Sequence, residues 1–105
     1  MNITIKQQQE LSVLLTEILE TIKQMRKIDR SYLLRRHEQD ATDWLNFLNN
    51  HRDYEELQSL YEAIVKAFVF EYPGFSEYYQ NQELDNKRLL LIKTVMDKFY
   101  EFIEK

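Results

Sequence analysis

The chain has 105 residues, 44% of them apolar and 30% charged, with a formal net charge of −4 and no cysteine. That composition is globular rather than disordered, fits one domain able to bury roughly 65% of its unfolded surface, and excludes disulfides, thiolate metal sites and cysteine nucleophiles. The single glycine and single proline, adjacent as Pro73-Gly74, also exclude phosphate loops, dinucleotide fingerprints and nucleophile elbows, which need glycines at several fixed offsets.

With both strong backbone breakers confined to one dipeptide, helix is the expected state of the rest. Apolar residues at Leu11, Leu14, Leu15, Ile18, Ile22, Met25 and Ile28 fall three and four apart and predict a helix over about 5–28. Asp29 and Ser31 are candidate caps for a second helix with the stripe Leu33, His37, Ala41, Trp44, Leu45 and Leu48. The first stripe also runs through Tyr32 nearly in phase, so a first helix reaching about Arg36, followed by a shorter one opened by Asp40 or Thr42, is the competing boundary. After the polar Asn49-Asn50-His51, Asp53 is a capping residue with Glu56 three positions on, which predicts a helix start at 53 and a glutamate reaching back to the Asp53 amide. Its stripe is Tyr54, Leu57, Leu60, Tyr61, Ile64, Val65, Phe68 and Tyr72, and Pro73 ends it. A last helix, capped by Ser76 or Asp85 and ending near Ile103, carries Leu84, Leu89, Ile92, Val95, Met96, Phe99 and Ile103. Apolar alternation never persists beyond Ile3-Thr4-Ile5, too short to compete as a strand. The expected fold is all-α, an antiparallel four-helix bundle over residues 1–105, with room for one helix to be split.

Little in this chain points to chemistry. A di-iron helical site needs a glutamate three residues before each ligating histidine, yet Leu34 and Leu48 precede His37 and His51. His37-x-x-Asp40 and His51-x-x-x-Glu55 share helical faces, but two ligands do not define a metal site, and both histidines are expected to be polar and partly exposed. Carboxylate pairs such as Glu17 with Glu20, Asp40 with Asp43 and Glu55 with Glu56 read as solvated helix surface rather than as desolvated acid–base pairs. No catalytic residue, metal, cofactor or small-molecule substrate is therefore expected.

Two segments do point to binding. Phe70, Tyr72, Phe75, Tyr78 and Tyr79 place five aromatics around the Pro73-Gly74 break. Such side chains offer large contact area for few frozen torsions and are enriched at protein-binding hot spots, although they also close bundle ends. Charge is divided as well: residues 1–37 carry net +3 and residues 38–105 net −7. The basic stretch including Arg26, Lys27, Arg30, Arg35 and Arg36 is the alternative site, for nucleic acid, disfavoured by the net −8 of residues 38–83 and the absence of a recognition-helix motif. Opposite charges meeting inside the fold explain the division more simply.

The longest apolar runs, Ala67–Phe70 and Leu89–Ile92, are far shorter than the roughly 18 residues of a membrane span, and Met1–Glu10 has no leader pattern. The expectation is a cytoplasmic interaction module that binds another protein or itself, comparable in size and class alone to immunity proteins, antitoxins and phage-encoded inhibitors. Scarce glycine, alanine and proline beside abundant lysine, isoleucine and tyrosine suit an AT-rich bacterial or phage genome. If the aromatic segment faces a partner, Tyr78→Ala with Tyr79→Ala leaves the melting temperature nearly unchanged and weakens association in a binding titration; a large drop in melting temperature would return these rings to the core.

Overall fold

The computed structural model describes residues 1–28, 32–68 and 81–104. Four helices follow one another: α1 (Ile5–Ile28), α2 (Tyr32–Asn50), α3 (Tyr54–Lys66) and α4 (Gln82–Glu104). α1 packs against both α2 and α4, and α3 packs against α4 and α2. The molecule measures 42 × 21 × 20 Å, its length set by the longest helices.

Helices α1, α3 and α4 each start where a side chain satisfies amides that have no helical partner. At α1, Thr4 and Gln7 form a reciprocal box: the Gln7 amide donates to Thr4 Oγ1 at 3.0 Å and the Thr4 amide to Gln7 Oε1 at 2.9 Å. At α3, Asp53 Oδ2 accepts from the amides of Glu55 and Glu56, as its capping position requires. Glu56 does not complete the expected box; its carboxylate lies 3.8 Å from His51 Nε2. α4 begins with Asn81, whose Oδ1 accepts from the Leu84 amide at 3.1 Å, so the expected Asp85 cap is displaced by four residues. The other expected caps, Asp29, Ser31 and Ser76, lie outside the described residues, as does the Pro73 stop.

Helix α2 runs unbroken from Tyr32 through Asp40 and Thr42, so the competing shorter helix opened by either of those residues is not formed. Its buried positions are Leu34, His37, Ala41, Trp44 and Leu48, while Leu33, placed on the stripe from sequence, is exposed. Adjacent residues differ by about 100° around a helix, and only Leu34 is in phase with the four that follow it. Helix α1 buries Leu19 and Thr21 beside Leu11, Leu15, Ile18, Ile22 and Met25, because a helix with neighbours on two sides needs a wider stripe; Ile28 is exposed. Helix α3 contributes Leu57, Leu60 and Ile64, followed by a π-helical turn at 67–68. The core face of α4 is Asp85, Arg88, Ile92, Val95, Phe99 and Phe102, which shifts the expected stripe and leaves Leu84, Met96 and Ile103 on its margin.

Opposite ends of α1 and α2 meet. Gln8 Nε2 donates to the Leu48 carbonyl at 2.7 Å, and Arg26 near the end of α1 pairs with Glu38 near the start of α2. An isolated antiparallel bridge joins Asn2 to Asp53, with the Ile3 amide donating to the Arg52 carbonyl and the Tyr54 amide to the Met1 carbonyl, both at 2.9 Å. It seats Ile3 in the core. Asp53→Ala removes the α3 cap but keeps this backbone bridge, so a loss of about 1 kcal/mol is expected in urea unfolding.

Candidate functional site

Three groups of residues bear on function: a buried polar cluster, the basic segment and a groove between α2 and α3. The cluster lies near the starts of α2 and α4, where Arg88 is 1%, Asp85 1% and His37 3% exposed. Arg88 Nε and Nη2 both donate to Asp85 Oδ1, at 3.1 and 2.9 Å, along one turn of α4. The remaining fork reaches His37, with Nη1 3.3 Å from Nε2. A guanidinium can only donate, so His37 Nε2 accepts and the imidazole is neutral with its proton on Nδ1. Trp44 stands edge-on to the ring at 6.1 Å.

The sequence offered Asp85 as a helix cap, His37 as partly exposed and no role for Arg88; all three are buried. The available signal was the register Asp85, Arg88, Ile92, Val95, Phe99, Phe102, in which the charged pair continues the core spacing by threes and fours. Burial, and then the Arg88 charge, lowers the His37 pKa from 6.5 to about 3. Such an imidazole is a poor base near neutrality, and the guanidinium occupies its accepting nitrogen. Removing either partner from a buried ion pair strands a charge and typically costs about 3–5 kcal/mol. These features give the cluster a structural role, joining α2 to α4.

The second histidine, His51, is tied locally. Its Nδ1–H donates to the Phe47 carbonyl at 2.7 Å and its ring stacks on Phe47 with centroids 3.9 Å apart. Among the described residues, no group of three His, Asp or Glu side chains is arranged to hold a metal ion. No helix there is long and apolar enough to cross a membrane.

Of the basic segment, Arg26 is paired with Glu38 and half-buried, whereas Lys27, Arg35 and Arg36 are exposed; Arg30 lies outside the described residues. Phe70, Tyr72, Phe75, Tyr78 and Tyr79 lie outside them entirely.

The groove was not legible in sequence. Trp44 and Phe47 on α2 face Leu60 and Ala63 on α3 across a hollow of 240 Å³, with Asp43 and Ser59 at its edge. A larger hollow of 510 Å³ near the start of α1 is lined mainly by the polar Gln8, Gln9, Ser12 and Asn49, two of which already bond each other. The α2–α3 groove is apolar, as is a hollow of 320 Å³ between α1 and α4 lined by Val13 and Leu14 with Glu10, Thr94 and Lys98.

No protein-family model matches the chain, and no curated protein and no solved structure matches it either. Function is therefore read from this geometry alone.

The lowered His37 pKa gives a signed pH dependence. The folded state holds the ring neutral, so this contribution is fully present above about 6.5, the unfolded value, and declines as pH falls towards about 3. Across that window its slope approaches ~1.4 kcal/mol per pH unit. His37→Gln keeps a neutral polar side chain that does not titrate, and urea unfolding across this range should show a shallower acid loss than in the parent chain; equal slopes would show that His37 does not set it.

Proposed function

We propose that this chain is a small helical interaction module, an antiparallel four-helix bundle without chemistry of its own, whose docking face includes the groove between α2 and α3. The threefold and fourfold spacing of buried residues on every helix supports the bundle, as do the α1–α2 end contacts. The cysteine-free composition fits action in the cytoplasm.

The observation that carries the binding role is the groove itself. Its 240 Å³ is below the roughly 300–1,000 Å³ of small-molecule pockets, which favours the side chains of a protein partner. Phe47 supplies partly exposed aromatic surface of the kind that dominates protein interfaces, with the buried Trp44 beneath it, and the open side of Ala63 leaves room above them. Phe70, Tyr72, Phe75, Tyr78 and Tyr79 follow α3 in sequence and extend the same proposed role.

Trp44 is the only tryptophan, so its emission reports on the groove. Ala63→Arg, on an exposed helical position, fills the groove with a charge while circular dichroism checks the fold. A protein retained from the native host by the parent chain should be lost by this variant, and the purified partner should shift Trp44 emission to shorter wavelength. Equal retention by both chains would sink the groove as the docking face.

A further inference from the structure

We propose that the partner in this groove is a second copy of the chain, docked head to tail through the exposed end formed by α1 and α2; the inference rests on the interaction-module reading. That end exposes three apolar side chains, Ile28 at 55%, Tyr32 at 72% and Leu33 at 41%. Exposed Lys27 and Arg35 accompany them, and among the described residues neither takes part in an ion pair. The surface is apolar and cationic.

The groove has the complementary character. Its floor is Trp44, Phe47, Leu60 and Ala63, with Asp43 at the edge and Glu62 beside Ala63. Asp43 accepts a hydrogen bond from Gln39 and Glu62 one from Gln58, and neither takes part in an ion pair among the described residues. Residues 38–66 carry seven acidic side chains against two basic ones, so the field around the groove is negative. Apolar surface against apolar surface, with opposite charges at the rim, is what a specific contact between copies requires.

The two surfaces cannot meet within one molecule. Leu33 and Phe47 stand on the same continuous helix, about 21 Å apart along its axis at 1.5 Å per residue. Using two different faces, the contact is heterologous, and each copy added leaves one end and one groove unused until a ring closes. Assembly should therefore grow with concentration and weaken with salt.

The test uses the full chain in sedimentation and light scattering up to millimolar concentration, with Trp44 emission followed in parallel. The parent chain should rise above its 12.9 kDa mass as Trp44 emission moves to shorter wavelength, and high salt should reverse both. Lys27→Glu with Arg35→Glu reverses the cationic end; Asp43→Lys with Glu62→Lys reverses the rim. Each variant alone should associate on the order of tenfold more weakly or worse, because like charges then face each other. Mixing the two reversed variants should restore assembly, a rescue that loss of folding would not give.

A parent chain that stays at 12.9 kDa throughout overturns the second-copy proposal. In that case a Trp44 shift on titration with a synthetic basic amphipathic helix leaves the module reading standing with a different partner, and no shift removes the groove from both. Assembly unaffected by either pair of reversals also overturns the proposal, since the contact would then use another face.

Discussion

A guanidinium buried in a helical core must find acceptors there, and much of this fold is arranged around meeting that demand for Arg88. Asp85 supplies the counter-charge from one turn away, and His37, on another helix, accepts from Nη1. Because Arg88 can only donate, His37 must be neutral; because His37 must be neutral, its surroundings must be dry. Leu34 and Ala41 on either side of His37 are fully buried, and Trp44 closes one edge of the ring. The polar contact also joins α2 and α4, each of which packs along α1. An apolar core could slide by a turn at modest cost, whereas this one would strand a charge if it did.

Beyond that cluster the helices use ordinary aliphatic and aromatic packing, and α2 and α3 leave an apolar groove between them. The chain thus combines a core fixed by a specific polar contact with an unfilled hydrophobic site on its side. In the proposed contact the opposing charge of the α1–α2 end and the groove would add direction, since steering acts over roughly a Debye length before the apolar surfaces touch.

Sequence periodicity located helices well where apolar side chains marked one face. The α1 span and the Asp53 start of α3 are examples: the first has seven apolar residues in register, and the second a carboxylate whose geometry is local. The α2 boundary was harder because Tyr32 prolongs the α1 stripe across the break. The face of α4 was misread for a different reason. Charged residues are almost never fully buried unless paired; Asp85 was offered as a cap, its partner Arg88 is one turn away, and the His37 that completes the cluster is 51 residues from Arg88. The Thr4–Gln7 box at the start of α1 is local in sequence, although no capping pair was expected there. No sequence pattern encodes the groove, because it is the space left by the spacing of two helices.

The bridge between Asn2 and Asp53 bears on the order in which the chain acquires its structure. Residues 1–3 precede α1, yet their hydrogen-bond partners, Arg52 and Tyr54, lie some fifty residues further along the chain. Helix α1 is built from local contacts and can form early, but Ile3 has nowhere to go until the turn between α2 and α3 exists. Residues 1–3 are thus among the last to be seated, and their docking closes a loop that spans α1 and α2 together.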